Sequence, residues 1–432
     1  MKIKKAVINE KIVIHKDDIE DISEFDSMYL YSYGDEFFST IEERDDYYLV
    51  PSNSLFKLEI KELQDERIKI DVEPPLEFTG TLRSEQLEAI RPFFPNGIGQ
   101  RGLNSGLLQA GCGWGKTFAA CYLIAEANLT TMVVVHTKLL FYQWIDELKK
   151  LIPNQEIGVI GDGKFSIKPI TVAIYKSANN NLDQIKNAFS LVIVDEAHLC
   201  PAETFSHTIN NINAKYKIAI TATPLRKDGH HLVLPDYFGN KVVIARDNRK
   251  LATCYFEIVK TNKAFIILNI NRDWSNRLTL LSEDTSYHNL IAEKAMEKIK
   301  EGRCLLILSE RVNMLRDLEK LIPGSKLLIG ETAQIERDKI LEQVGKSVTA
   351  ILTTRIFDEG ISCHRLDTIF LTCPNNNVIK LEQRVGRIIR QHSDKKEPLI
   401  VDFWFNGPIV MSQQNKRVQW YMARGFKISE SI

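Results

Sequence analysis

The chain of 432 residues lacks several features that would place it in a special class of protein. It has no low-complexity tract and no apolar run near the roughly 18–20 residues that cross a membrane. Its seven cysteines are an odd number without a C-x-x-C pair, which favours free thiols in a reducing compartment. Asn9, Glu10 and Lys11 interrupt the first apolar stretch, so we expect no signal peptide. These absences indicate a cytoplasmic globular protein.

The chain also lacks net charge, with 56 Lys+Arg against 56 Asp+Glu, yet its charges are unevenly distributed. Residues 1–72 hold 10 basic and 18 acidic side chains, a net charge of −8, so the remainder carries +8. A mildly basic body is compatible with a nucleic-acid partner. Ordinary solvated surface charges would explain so small an excess equally well.

Three stretches of different pattern predict three domains. Residues 1–72 mix short strand-like runs, such as "SMYLYSY" and "LFKLEI", with acidic turns. They predict a small α+β accessory or DNA-recognition domain, followed by a linker at Pro74 and Pro75. Over 73–248, apolar runs such as "TMVVVHT" and "LVIVDEA" alternate with amphipathic helical stretches. The same alternation returns over 249–432. This rhythm predicts an α/β fold with two doubly wound parallel sheets.

The stretch "QAGCGWGKTFAA", residues 109–120, joins a predicted strand to a predicted helix. It ends like a phosphate-binding loop, although Ala110 stands where the strict pattern G-x-x-x-x-G-K-[ST] has glycine. In that reading Lys116 reaches the β and γ phosphates of a nucleotide, and Thr117 holds Mg²⁺. Three glycines leave the backbone free where phosphate approaches, namely Gly111, Gly113 and Gly115. The alternative is an ordinary glycine turn before a helix.

Trp114 is the unusual residue of this loop. We expect its ring to point away from the phosphates, packing at the domain cleft or lying over solvent.

A second motif, "LVIVDEAHL", places acidic residues at the end of an apolar strand. A phosphate-binding loop needs such a partner to hold its metal. Asp195 would anchor Mg²⁺ through water, Glu196 would position or deprotonate the attacking water, and His198 could couple the site to another domain. On its own, the sequence "DEAH" at 195–198 could simply mark the end of a strand.

With these two motifs in place, residues 80 to about 400 resemble superfamily 2 helicases and translocases. Further segments in the family's order are "LRSEQLEAI", "VVVHTKLLFYQW", "TVAIYKSA", "TATPLRKDG", "CLLILSERVNML", "ILTTRIFDEGIS" and "QRVGRIIR". The extended "TATPLRKDG" is similar to the group that contains XPB, RecG and UvsW-type enzymes. The resemblance implies two tandem RecA-like domains that bind ATP with Mg²⁺.

The resemblance also assigns roles by position. It implies a reader of the adenine base at Gln86 and a further nucleotide contact at Gly360. It implies arginines that reach the γ-phosphate from the second domain, Arg387 and Arg390. It implies residues that couple hydrolysis to movement, which are His198, Thr221, Thr223 and Gln383. Contacts to the nucleic-acid backbone are implied at Thr137, Lys138, Ser177, Ser309 and Thr354, where each hydroxyl could instead be a helix cap or turn residue.

Two positions depart from the family. Ser362 stands where many members have an aspartate that contacts the ribose, so sugar recognition could be relaxed. Lys227, within "RKD", reverses a charge of a triplet used in strand separation, and that role is not carried over.

The combined features resemble compact phage enzymes of the UvsW type. The leading hypothesis is therefore a monomeric, ATP-dependent DNA helicase that remodels branched DNA in recombination, repair or replication, in the host cytoplasm if viral. Three alternatives stay open: a duplex translocase or transcript-release factor without strand separation, an RNA helicase, and an ATP-switched clamp that hardly turns over. The acidic N-terminal domain would recognise the branch or act as a wedge.

Overall fold

The computed structural model describes the chain in the ranges 1–111, 113–200, 203–222, 228–246, 253–266, 270–354, 363, 365–374, 381, 384–386, 388–389 and 395–429. The chain divides into two compact units, Met1–Asn248 and Arg249–Ile432. No helix among the described residues is long and apolar enough to span a membrane.

The N-terminal part of the first unit is a small α+β domain. Its elements are β1 Lys2–Ile8, β2 Lys11–His15, α1 Ile22–Met28, β3 Leu30–Tyr33, β4 Glu36–Ser39, β5 Glu42–Arg44, β6 Tyr47–Pro51 and β7 Glu59–Asp65. Five strands form a sheet in the order β5-β6-β2-β1-β7, and β3 pairs with β4 as a separate hairpin. Phe25, Tyr29 and Tyr48 pack with aliphatic side chains to make this domain's own core.

The rest of the first unit is a doubly wound α/β domain. Its elements are α2 Ser84–Ile90, β8 Gly106–Gln109, α3 Lys116–Ala127, β9 Thr131–Val135, α4 Lys138–Leu151, β10 Ile157–Gly161, β11 Lys164–Ser166, β12 Ile170–Ile174, α5 Tyr175–Asn180, α6 Leu182–Ile185, β13 Leu191–Asp195, α7 Glu203–Asn210, β14 Tyr216–Thr221, α8 Leu234–Phe238 and β15 Val242–Ile244. The sheet order is β11-β10-β12-β9-β13-β14-β8-β15. Strand β11 runs antiparallel to β10, and the other described pairings are parallel.

Continuous apolar runs form the central strands of this sheet because helices cover both faces. Every residue of β9 and of β13 is buried. Helix α4 begins where the Thr137 hydroxyl accepts a hydrogen bond from the Leu140 amide, a usual N-cap. Its apolar stripe buries Phe141, Trp144 and Leu148 against the sheet.

The second unit repeats the architecture. Its elements are β16 Tyr255–Ala264, α9 Ile270–Glu283, α10 Thr285–Lys300, β17 Leu305–Leu308, α11 Val312–Leu321, β18 Ser325–Leu328, α12 Gln334–Glu342, β19 Ala350–Thr353, β20 Thr368–Leu371, β21 Leu399–Asn406, α13 Pro408–Ala423 and β22 Lys427–Ile428. The sheet order is β18-β19-β17-β20-β21-β16-β22, parallel at each described pairing. The predicted fold class, two parallel α/β domains after a small α+β domain, is confirmed.

Several local predictions needed correction. The run "SMYLYSY" was expected as one strand, but its first residues end α1, which the Asp21 side chain caps. The run "LFKLEI" starts as a 3-10 turn and only then becomes β7. Cysteines are free thiols wherever the structure describes them, at Cys121, Cys200, Cys254, Cys304, Cys363 and Cys373.

Buried polar contacts hold the N-terminal domain against the first α/β domain. The Asp236 carboxylate, fully buried at the start of α8, accepts hydrogen bonds from the Tyr31 hydroxyl at 2.7 Å and the Thr40 hydroxyl at 2.6 Å. It also pairs with the Lys57 ammonium at 2.7 Å. Asn53 donates to the Tyr237 carbonyl at 2.9 Å. These contacts fix the two domains as one body within the first unit.

Candidate ATP site and nucleic-acid contacts

The two chemical motifs of the first unit lie at one edge of its sheet. Strand β8 leads into the glycine-rich loop, β13 ends at Asp195, and β14 lies between them. Since the three strands are parallel, their carboxyl ends meet at the same edge, where ligands of open α/β sheets bind.

The loop has the backbone of a phosphate cradle. Gly113 and Gly115 take positive φ angles of 74° and 92°, which favour glycine. Gly115 directly precedes α3, so the free N–H groups of that helix face the loop. A Cβ at Gly115 would come within 2.7 Å of the Gln86 amide nitrogen, so no larger residue fits there. The Lys116 ammonium donates to the Ala110 carbonyl at 3.0 Å, which holds it across the loop.

Trp114 lies inside the core of the first α/β domain. Its side chain is 0% exposed, and its indole N–H donates to the Arg246 carbonyl at 2.9 Å. The expectation that the ring could lie over solvent is therefore wrong. Its own carbonyl accepts hydrogen bonds from the Arg83 guanidinium and, at 3.2 Å, from the Gln86 amide. The tryptophan anchors the loop to the domain beneath it.

Gln86 is buried and both ends of its amide bind protein. Its oxygen accepts from the Arg83 backbone N–H at 3.0 Å, while its nitrogen donates to the loop. Adenine recognition by Gln86 stays a prediction, and in this structure the side chain supports the loop.

Asp195 is a buried carboxylate with two fixed oxygens. One oxygen accepts from the Trp144 indole at 2.9 Å, and the other accepts from the Glu196 amide at 2.9 Å. Burial, followed by the neighbouring Glu196 charge, raises the pKa of Asp195 to about 6. A cation beside the carboxylate would stabilise its ionised form.

Glu196 is held in a backbone conformation that is uncommon for this residue type. Its φ is 52°, in the left-handed region, at the start of a 3-10 turn. Burial alone would raise the pKa of this carboxyl, but the hydrogen bond from His198 and the Lys116 charge outweigh it and lower the pKa to about 2. Glu196 is therefore ionised, as a residue that positions or deprotonates water must be.

His198 connects this carboxylate to the next strand. Its Nδ1 lies 3.3 Å from a Glu196 oxygen and 3.2 Å from the hydroxyl of Thr221, the last residue of β14. The structure thus brings together Glu196, His198 and Thr221, three residues that the sequence predicted for catalysis and coupling.

The arrangement suits Mg²⁺ bound together with a nucleotide. No group of three metal-binding side chains exists among the described residues. Mg²⁺ usually takes one or two protein ligands and completes its shell with water and substrate phosphates. Asp195 and the Thr117 hydroxyl, in the first turn of α3, could hold it in this way. His230 and His231, in the stretch "GHH" at 229–231, instead contact the β3–β4 hairpin: His230 stacks on Phe38, and His231 meets Tyr33 edge to face.

Two residues near the site were missed by sequence reasoning. Trp144 orients Asp195 through a hydrogen bond. In the sequence, Trp144 stands out only as one apolar residue on the buried stripe of α4. His136 follows β9, whose register with β13 pairs Val134 with Val194. Burial lowers the pKa of His136, and the Glu196 carboxylate lies close enough for its charge to act on that pKa as well. The place of His136 after an apolar strand was visible in the sequence.

The predicted nucleic-acid contacts of the first unit share one sheet edge but differ in what they do. Thr137 follows β9 and Ser177 lies in α5, directly after the neighbouring strand β12. The Thr137 hydroxyl caps α4, as the alternative reading allowed. Lys138 forms an ion pair with Asp162 at the surface.

In the second unit, Ser309 and Thr354 follow the paired strands β17 and β19. Ser309 is buried and its hydroxyl accepts from the Arg311 amide at 3.1 Å, so it shapes the start of α11. Thr354 is partly exposed. Several predicted residues lie outside the described part of the chain: Thr223, Gly360, Gln383, Arg387 and Arg390, together with Ser362 and Lys227.

Two family models match the chain at the positions of these domains. Residues 79–226 match "Type III restriction enzyme, res subunit", and residues 287–392 match "Helicase conserved C-terminal domain". The chain is a helicase of superfamily 2, and as such a nucleic-acid-dependent ATPase.

Individual relatives agree with this class. A protein of Escherichia phage T5 named as a helicase, D10, is 29% identical over 323 residues, covering 73% of this chain and 71% of its own. The DNA 3'-5' translocase XPB2 of Sulfurisphaera tokodaii is 27% identical over 372 residues, covering 76% of this chain and 82% of its own. The Pyrococcus furiosus Hef helicase domain has a similar fold, with a TM-score of 0.50 at 13% identity over 73% of this chain and 95% of that one.

Proposed function

We propose that the chain is an ATP-dependent DNA helicase or translocase of the UvsW-like group that remodels branched DNA, such as forks, Holliday junctions, R-loops and D-loops. The supporting observation is the fixed position of the N-terminal domain. Asp236 holds it to the first α/β domain, eight residues after Asp228 in "TATPLRKDG". A domain held rigidly beside a moving nucleic-acid strand can recognise or separate strands at a branch. Two relatives bear the names of a phage helicase and a DNA translocase, and the second name favours DNA as the substrate.

The ATP chemistry follows from the residues at the sheet edge. Lys116 and the N–H groups of α3 bind the phosphates, and Glu196 orients the attacking water. Mg²⁺, held by Thr117 and Asp195, would offset charge on the phosphates. Arg387 and Arg390 would supply the arginine contacts that are typically worth about 10³–10⁵ in turnover. We expect the chain to act as a monomer, and the phage relative favours action in the host cytoplasm.

The test compares unwinding of forked, Holliday and linear DNA of equal length by the full chain. We expect preferential opening of the branched substrates, and loss of it in Glu196→Gln, since the substitution removes the carboxylate that activates water. Lys116→Ala serves as the second inactive variant. Equal or absent activity on branched DNA would refute the proposal, and a Glu196→Gln variant with unchanged ATPase activity would favour an ATP-switched clamp.

A second candidate is a duplex translocase that does not separate strands, which the name of the Sulfurisphaera tokodaii relative favours. Displacement of a triplex-forming strand without unwinding of any branch would support it. The same unwinding assay on an RNA fork of equal geometry tests for an RNA helicase. This comparison is needed because backbone contacts alone discriminate DNA from RNA poorly.

A further inference from the structure

The β3–β4 hairpin of the N-terminal domain has two faces of different character. Its register pairs Leu30 with Ser39, Tyr31 with Phe38, Ser32 with Phe37 and Tyr33 with Glu36. Directly paired residues share a face, and successive pairs alternate between faces. Tyr31, Phe38 and Tyr33 therefore lie on one face, which we call the anchored face. The opposite face, which we call the outward face, consists of Leu30, Ser32, Phe37 and Ser39.

The anchored face packs on the first α/β domain just beyond the "TATPLRKDG" segment. Phe38 stacks on His230, with ring centroids 4.2 Å apart and planes within 10°. Tyr33 meets His231 edge to face at 6.1 Å. Its ring also lies against Gly229, where an added Cβ would overlap it.

Both ends of the hairpin converge on one buried carboxylate. Tyr31 near its start and Thr40 just after its end donate to the same oxygen of Asp236. Lys57 neutralises that carboxylate and donates to the Tyr31 hydroxyl at 2.7 Å. A buried carboxylate with these partners resists being pulled apart, so the hairpin cannot swing freely on the domain.

The outward face is small, uncharged and open. Phe37 is 71% exposed, and Leu30, its diagonal neighbour, is 53% exposed. The flanking Ser32 and Ser39 are exposed as well. The acidic residues next to Phe37 in sequence, Asp35 and Glu36, belong to the turn and to the anchored face, and most of the Phe37 ring is open to solvent.

We propose that a nucleobase stacks on Phe37, and that the β3–β4 hairpin is the element against which strands part at a DNA branch. This inference rests on the proposed function. The domain carries a net charge of −8 over residues 1–72, which disfavours broad contact with phosphates. Any contact between this domain and DNA must therefore be local, and stacking of one base on one exposed ring is such a contact. Base–aromatic stacking is independent of base sequence, as remodelling requires. The four-residue face is far smaller than the roughly 800 Å² per partner of a stable protein interface, which disfavours a protein as its occupant.

The first test is spectroscopic and uses the full chain with a forked DNA probe. In Phe37→Trp, we expect the introduced indole to be quenched when the fork binds, beyond any change shown by the wild type. Tyr47 is a matched control, since it is aromatic, 45% exposed and in the same domain but outside the hairpin. The indole in Tyr47→Trp should not respond.

The second test measures base pairs opened per ATP hydrolysed on the same fork. We expect Phe37→Ala to lower this ratio by about 5-fold or more, the low end of what losing one base–aromatic stack removes. Phe37→Trp should restore the ratio, and Tyr47→Ala should match the wild type. An unquenched indole together with normal opening by Phe37→Ala would overturn the inference. A quenched indole in a chain that opens no branch would refute the proposed function and leave the stacking site standing.

Discussion

Lys217 offers a quantitative test of how the N-terminal domain packs on the first α/β domain. It lies on the central strand β14 with 0% of its surface exposed. Its Nζ donates a hydrogen bond to the Ser52 hydroxyl of the N-terminal domain at 3.2 Å. Burial, and secondarily the positive charge of Arg67, lowers the pKa of this lysine from 10.5 to about 7.

The sign of the resulting pH dependence follows from proton binding. Between the folded pKa near 7 and the unfolded pKa of 10.5, the unfolded chain binds more protons at Lys217 than the folded chain does. The free energy of unfolding therefore rises with pH in this window, by about 1.4 kcal/mol per pH unit. Below pH 7 the folded protein bears the full cost of the buried charge.

Lys217→Met removes this titration while keeping the length and packing of the side chain. We expect the difference in unfolding free energy, wild type minus variant, to rise by about 2.3 kcal/mol between pH 7 and pH 9, slightly less than the full slope gives because the folded amine is still half protonated at pH 7. Urea unfolding of the full chain, followed by circular dichroism, measures it. Ser52→Ala is the control, because it removes the hydroxyl partner but keeps the amine. Equal pH slopes in the wild type and in Lys217→Met would refute the assignment of a buried, mostly neutral amine.

Two further predictions concern the ATP site. Trp114→Phe removes the indole N–H that donates to the Arg246 carbonyl and puts a smaller ring in a fully buried site. We therefore expect a loss of about 1–3 kcal/mol in unfolding free energy and a higher KM for ATP; unchanged values of both would contradict the anchoring role. Thr221→Val keeps the shape of that residue but removes the hydroxyl that meets His198, and should reduce DNA-stimulated ATPase turnover by about 2- to 10-fold. Thr221→Ser should retain turnover, and equal loss in both variants would point to packing instead.

The sequence was sufficient to predict the sheets and to place the two ATP-site motifs of the first unit at one sheet edge. Runs such as "TMVVV" and "LVIVD" are buried on both faces and can hardly form anything but central strands. The glycine-rich loop and the acidic end of β13 each belong to a motif that is expected at the carboxyl end of a parallel strand. What could not be predicted depends on contacts between distant residues. A loop tryptophan gives no indication of which side it packs on, and Trp114 turned inward.

The same limit applies to the N-terminal domain. Nothing near Lys217 in the chain indicates that Ser52, 165 positions away, meets its amine. The run "SMYLYSY" has the composition of a strand throughout. Its division into helix and hairpin depends on the Asp21 cap and on the Asp236 carboxylate, which lies 205 positions beyond Tyr31.

Helix α4 joins the two kinds of site within the first unit. Its N-cap is Thr137, a candidate contact to the nucleic-acid backbone, and Trp144 two turns later holds the Asp195 carboxylate at 2.9 Å. Seven residues of helix span only about 10 Å, and the buried stripe of α4 fixes the helix to the sheet. A bound nucleic-acid strand that shifts the first turn of α4 must therefore also shift the Trp144 indole, which orients the Asp195 carboxylate. If nucleic acid contacts Thr137 as predicted, stimulation of the ATPase would have a direct route inside this domain, before any residue of the second unit takes part.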